Sequence, residues 1–232
     1  MKPLTLLLVL TTITVQAQHA IVLKHKYYDV QFDTVFCAGI LNHYTQTITH
    51  ATGTNLKRAG SALTEFHADP LVPKRFQTVT KADYASYNAQ FKGDKSQTMD
   101  IGHEVPYEAM AFDSVAAEET MYLQSNTQFQ VSYFNEHQWA FVEKVVLDSI
   151  GKLYNAEVYT GVLISFSHPK RWHQAYIPDY YFKVVVYNGI VEAWLGANTS
   201  DNRSIKTVDI NIPLDKLKSI ILQYYPNLIL PF

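Results

Sequence analysis

Apolar and polar positions change period several times along this 232-residue chain, and each change marks an element. Residues 27–48 alternate β-branched, aromatic and polar side chains, the pattern of early strands. Residues 51–99 are polar and punctuated by Gly53, Gly60, Pro70, Pro73 and Gly93. They predict long loops with short elements, a length that usually serves function in a compact domain. Residues 134–153 hold the clearest helix, because Trp139, Val142, Val145, Val146, Ser149, Ile150 and Leu153 keep a helical period. Two β-rich runs come next, EVYTGVLISF and YYFKVVVYNGIVEAWLGA. The second carries Asn188-Gly189 between its flanks, a two-residue hairpin signal. Residues 213–225 predict a last amphipathic helix. No repeat, low-complexity segment or long linker divides the chain. The expected class is α+β, a mainly antiparallel sheet flanked by helices.

The amino terminus changes the compartment. Lys2, a short apolar run at 4–10 and the small-residue junction Val15-Gln16-Ala17 have the layout of a secretory signal peptide. The run is too short to span a membrane, which needs about 18 apolar residues. Residues 1–17 are therefore expected to be a signal peptide, leaving 18–232 as one domain with a sizeable core. The single cysteine, Cys37, allows no internal disulfide. An exported chain held by packing alone suits a bacterial periplasm or medium. Cys37 lies in the apolar stretch Val35-Phe36-Cys37-Ala38 and is expected to be a small buried hydrophobe. Charge adds little, with 19 basic against 21 acidic residues. Nucleic-acid-binding domains are usually visibly basic, but a local cationic groove suffices for phosphate contact. The candidates for one are Lys57-Arg58, Lys74-Arg75, Lys81, Lys92 and Lys95.

The candidate chemistry lies in residues 100–143. Asp100-Ile101-Gly102-His103 is followed by Ser125-Asn126, then Asn135, Trp139 and Glu143. A solitary His with two Asn and a Glu is a poor zinc site, since zinc takes three or four His, Cys or carboxylate ligands. It suits a one-metal phosphodiesterase. A neutral imidazole can take a proton from water, and an amide oxygen is a hard donor for Mg²⁺, which keeps several of its waters. On an ideal α-helix Asn135 and Glu143 differ by roughly 80° in azimuth and about 12 Å along the axis. They share a side but do not easily reach one ion directly, whereas a direct Asn with a Glu on a metal-bound water is permitted. Trp139, between them, packs the helix down. An Asn near a helix start is also often a simple N-cap.

The stretch MDIGHEVPYEAMAFDSVAAEETMYLQSNTQFQVSYFNEHQWAFVEKVV resembles the core of the DNA/RNA non-specific endonucleases, the ββα-metal family, which reads D-R-G-H, E-T…L-S-N…P-Q, then L-N-x-x-x-W…L-E. VYTGVL, IPDYYFKVVVY and VDINIPLDKLKSIILQYYPNL resemble that family's later strands and terminal helix. Together and in order, these pieces imply a ββα-metal finger on the α+β fold and hydrolysis of DNA or RNA phosphodiesters. The resemblance further implies His103 as general base, Asn135 as ligand to Mg²⁺ (or Mn²⁺), Glu143 on the metal's water shell, and Asn126 positioning the phosphate or the His103 loop. Gly102 would let a phosphate approach closely, and Asp100 orients or stabilises the turn. Three positions depart from the pattern: Ile101 replaces its Arg, Glu104 follows the His, and Phe129 replaces a Pro. Ile101 cannot hold a phosphate, which leaves two readings open. Either another cation, with Arg75 the candidate, clamps the phosphate of an active enzyme, or the chain is a degenerate relative that binds nucleic acid or another partner without efficient cleavage. HEVPY lacks the second His of H-E-x-x-H, so no zincin site stands there. His168 and His173 flank Lys170-Arg171-Trp172 in a connection read as a surface loop or as a substrate contact.

Overall fold

The computed structural model describes residues 19–53, 56, 65–200 and 210–232. The expected signal peptide, Lys57 and Arg58 lie outside the described residues. In chain order the first strands are β1 (Ala20–Lys24), β2 (Tyr28–Asp33) and β3 (Ala38–Gln46). Next come β4 (His67–Ala68), β5 (Met99–His103), β6 (Tyr122–Leu123) and β7 (Thr127–Val131). The later strands are β8 (Ala156–Leu163), β9 (Lys170–Trp172), β10 (Ala175–Ile177), β11 (Tyr180–Tyr187) and β12 (Ile190–Ala197).

An antiparallel sheet of six strands, ordered β1-β2-β3-β8-β11-β12, forms the backbone of the molecule. β11 lies inside it, flanked by β8 and β12, which is why its sequence reads as a nearly unbroken apolar run. The β11–β12 turn is built on Asn188 and Gly189, with φ of 45° and 74°. Both residues sit in the left-handed region that an Asn-Gly hairpin supplies cheaply. Helices cover both faces of the sheet. On one, the helical run 132–150 buries Trp139, Val142, Val146 and Ile150, with the Trp139 ring 5.8 Å from that of Tyr181. On the other, the helix Leu214–Tyr224 buries Leu217 and Ile221, and Tyr224 meets Tyr180, the neighbour of Tyr181 that points the opposite way.

The run 132–150 is not a plain α-helix. Ser132–Phe134 and Ala140–Lys144 are α-helical, whereas Asn135–Trp139 and Val145–Ile150 are wider π turns. The polar segment before β5 holds the helix Lys81–Asn88 and short turns, as loops with short elements. Its helix is closed by a capping box in which Thr80 and Asp83 satisfy each other's end groups. Cys37 is half-buried rather than fully buried. It occupies the β2–β3 turn with φ of 50°, its thiol donating to the Thr34 carbonyl at 3.6 Å.

A smaller sheet, ordered β4-β6-β7-β5, carries the residues singled out by sequence. β5 and β7 pair antiparallel, with His103 opposite Thr127 and Ile101 opposite Phe129, and β7 runs straight into the helical run 132–150. Two strands and a helix thus form the expected ββα unit. Phe129, where the related pattern has Pro, stacks on Tyr84 at 3.8 Å and 10°, so the departure is absorbed by aromatic packing.

The two sheets meet where β3 crosses the turn at Ser125-Asn126. A Cβ on Gly39 would lie 2.1 Å from the Ser125 carbonyl oxygen, a backbone atom that cannot swing aside. Gly39→Ala should therefore destabilise the fold by about 2 kcal/mol and lower Tm by roughly 4–8 °C. Scanning calorimetry checks this, and an unchanged Tm would show that the two sheets can separate at this point without cost.

Candidate active site

β5 and the helical run form two walls of a cleft of about 760 Å³. Asp100, Ile101 and His103 line it from the strand, and Asn135, Glu136, Ala140, Glu143, Lys144, Leu147 and Asp148 from the helical run. Tyr44, Phe66, Tyr84 and Glu108 complete much of the rest. Ile101 and His103 are two residues apart on a strand and so share a face.

Asn135 lies inside the helical run, three residues past its start at Ser132, which removes the N-cap account. Its side chain is set by Asp100. The Asn135 Nδ2 donates to Asp100 Oδ2 at 2.8 Å, while Asp100 Oδ1 accepts from Ser132 Oγ at 2.7 Å. The amide nitrogen being committed, Asn135 presents its oxygen elsewhere. The π turn at Asn135–Trp139 corrects the helical geometry. A turn closed from i to i+5 holds about one residue more than an α-turn, which rotates the remainder of the helical run back by about 100°. The 80° offset between Asn135 and Glu143 on an ideal helix becomes about 20° on the opposite side, and both line the cleft.

The donors present fit Mg²⁺ and do not fit zinc. Among the described residues no group of three His, Cys, Asp or Glu is arranged to hold a metal ion. The cleft instead offers the Asn135 amide, held by Asp100, and carboxylates on the same walls, the oxygen-donor chemistry that suits Mg²⁺.

Asn126 does not line the cleft. It is fully buried, and its amide is saturated. Oδ1 accepts from Asn42 Nδ2 at 3.0 Å and from the Val105 amide at 2.9 Å, and Nδ2 donates to the carbonyls of Val105 at 3.0 Å and Thr120 at 2.8 Å. The Asn126 carbonyl also accepts from the Glu104 amide at 2.8 Å. Of its two expected roles, the structure supplies the one on the His103 loop. Gly102 too is explained differently: a Cβ there would lie 2.0 Å from Gln130 Oε1, so the glycine is demanded by the packed Gln130 side chain on β7 and not by room for a phosphate.

Arg75 lies apart from the cleft lining. It sits on the turn Lys74–Phe76, exposed, with its guanidinium 4.7 Å from the centre of the Phe76 ring. Stacking on Phe76 holds it there. The other candidate cations are mostly engaged. Lys81 pairs with Glu65, and Lys95 binds Glu136 at the rim of the cleft. Lys74 and Lys92 are exposed and do not line the cleft. His173 pairs with Asp83 at 3.0 Å, and Trp172 Nε1 donates to Ser86 at 3.1 Å, which packs the β9–β10 hairpin on the helix Lys81–Asn88 as a braced surface loop.

Behind the cleft runs a polar row that the sequence does not announce. Asn42, Thr160 and Lys183 are register partners across β3, β8 and β11, and all three are fully buried. Each reaches the segment after His103: Asn42 through Asn126, Thr160 through its hydroxyl to Glu104 Oε2 at 3.1 Å, and Lys183 by donating to the Glu104 carbonyl at 3.3 Å. Burial pushes the Glu104 carboxyl up to about 8, against the opposing pull of Lys183 and the Thr160 hydroxyl. The same burial pushes the Lys183 amine down, opposed by Glu143 and Glu104. A lone Lys inside the apolar run of β11 was the one available signal of this row.

The sequence matches the family of DNA/RNA non-specific endonucleases over residues 10–220. The chain belongs to the DNA/RNA non-specific endonuclease family. Its fold agrees: the solved EndoG/EndoGI complex contains a chain that superposes with a TM-score of 0.68 at 17% identity, covering 90% of this chain and 84% of that one. In all, 127 solved chains match the endonuclease fold seen here. Among curated proteins none matches this chain.

Asn126→Ala would remove four hydrogen bonds and leave Val105, Thr120 and Asn42 with buried polar groups unpaired. At about 1–3 kcal/mol for each such group, partly relieved by water, the expected loss is about 3–5 kcal/mol in denaturant unfolding. A loss below about 1 kcal/mol would show that the endonuclease's His103 loop is held by its strand pairing alone.

Proposed function

We propose that this endonuclease-family protein is a metal-dependent hydrolase of DNA or RNA phosphodiester bonds, with His103 as general base. The observation that carries the reading is the cleft in which β5 presents His103 to Asn135 and Glu143, with Asp100 fixing the Asn135 amide. His103 accepts the proton of a water attacking phosphorus, a role open to a neutral imidazole near pH 7. Asn135 Oδ1 would be the direct protein donor to Mg²⁺, with Mn²⁺ as a substitute, and Glu143 would hold water around that ion. The bound ion supplies Lewis-acid stabilisation of the phosphoryl charge. Asp100 keeps the Asn135 oxygen aimed, and Asn126 keeps Glu104 and Val105, hence His103, in register. The lining carboxylates Asp100, Glu108, Glu136, Glu143 and Asp148 would repel a phosphodiester, so substrate binding itself needs a cation in the cleft.

One observation favours a second reading. Ile101 replaces the pattern's Arg, and no Arg among the described residues lines the cleft. In that reading the protein keeps the fold and binds nucleic acid or another partner without efficient cleavage. We further propose export to a bacterial periplasm or the medium, on the strength of Lys2, the apolar run at 4–10 and Val15-Gln16-Ala17. A mature amino terminus at Gln18, read by mass spectrometry of the secreted fraction, tests that.

Plasmid DNA or ribosomal RNA should be degraded with Mg²⁺ or Mn²⁺, and EDTA should abolish the activity. Persistence in metal-free buffer would remove Asn135 from the mechanism. His103→Ala should lower kcat by about 10²–10⁴-fold with an unchanged Tm, and a folded variant of near-native rate would refute the base assignment. Asp100→Ala should raise the Mg²⁺ concentration for half-maximal activity roughly 10–100-fold, which a metal titration measures. If purified protein binds DNA yet leaves it intact under all these conditions, the second reading holds.

A further inference from the structure

Among the described residues the cleft is lined by five carboxylates and by a single Lys or Arg, Lys144. The neighbouring lysines are spent. Lys95 binds both carboxylate oxygens of Glu136, the second at 2.7 Å, and Lys152 pairs with Asp148 at 2.6 Å. Lys144 sits on the same helical face, four residues from Ala140 on one side and from Asp148 on the other. Ala140 has no charge to offer and Asp148 is taken by Lys152, which leaves Lys144 exposed and without a carboxylate partner among the described residues. It adjoins Glu143 in sequence and lines the cleft that Ile101 lines from β5.

A phosphodiester entering this cleft meets an anionic wall. The position on β5 that shares a strand face with His103, and from which a cation would reach it, is the apolar Ile101. We propose that Lys144 is the substrate's phosphate contact, supplying from the helical run the positive charge that Ile101 does not supply from the strand. A lysine serves as a point charge to a phosphate without needing the planar geometry of a guanidinium. This assignment rests on the endonuclease reading of the cleft and names its substrate-binding group. It also accounts for a cleft lined by no Arg among the described residues in a chain that keeps His103, Asn135 and Glu143.

The test is binding rather than turnover. In a His103→Ala background with Mg²⁺, the anisotropy of a fluorescein-labelled DNA duplex is titrated at several NaCl concentrations. Lys144→Gln should weaken binding roughly 10–100-fold and reduce the slope of log K against log salt by about 1, since one phosphate contact is lost. Lys144→Arg should keep both, and Ile101→Arg added to Lys144→Gln should restore the slope. With His103 intact, Lys144→Gln should raise KM more than it lowers kcat. If the parent protein binds and cleaves but Lys144→Gln leaves the salt slope unchanged, this assignment falls and the endonuclease reading stands. If the parent neither binds nor cleaves, both fall. Because Lys144 is exposed, an unchanged Tm for Lys144→Gln certifies that the comparison is between folded proteins.

Discussion

The saturated amide of Asn126 is the constraint on which the rest of the arrangement depends. One buried side chain takes hydrogen bonds from β3, through Asn42, and from the loop after His103, through Val105, and gives one to Thr120. An amide buried with any of these unmade would carry a desolvation cost of about 1–3 kcal/mol for each orphaned group. The large sheet, the small sheet and the His103 loop can therefore adopt only the mutual placement that satisfies all of them at once. Gly39 permits that placement by letting β3 pass against the Ser125 carbonyl, and Gly102 permits it by yielding space to Gln130.

The polar row of Asn42, Thr160 and Lys183 extends the same logic across the sheet. Buried polar groups in low dielectric are expensive unless matched, and here each is matched to the segment that carries the base. Glu104 and Lys183 face each other in a volume with little water, and burial drives both toward their neutral forms while their mutual attraction resists it. Such a pair is weak support for stability but strong support for a single geometry, since no other register of β11 would bring an amine to this loop. The matched polar row behind His103 contrasts with the carboxylates lining the cleft in front of it.

Of the three departures from the family pattern, Glu104 is met by Thr160 and Lys183, Phe129 by packing and Ile101 by electrostatics. Phe129 replaces a turn proline and is absorbed by stacking on Tyr84. Ile101 replaces a cation, which no packing can make good, and the deficit passes to the opposite wall of the cleft.

Local pattern carried a large part of this protein. The strands around 27–48, the Asn188-Gly189 hairpin, the helices at 134–153 and 213–225 and the α+β class all derive from periodicity and turn chemistry, because these depend on neighbours a few residues away. His103, Asn135 and Glu143, grouped in the sequence, line one cleft because one strand and one helix carry them. The contributions of the tertiary structure alone depend on distance across the fold. Arg75 was plausible in sequence and is stacked on Phe76 outside the cleft. Asn126 was open to a place at the phosphate or at the His103 loop, and only the fold shows it buried and bonded to the segment after His103. The π turn that swings Glu143 toward Asn135 has no helical-period signature, since one extra residue in a turn leaves the apolar spacing readable. Lys144 drew no attention in a helix of mixed charge. Its meaning comes from Asp148 being occupied, Ile101 being opposite and the lining being acidic, three facts that only the folded chain brings within reach of one another.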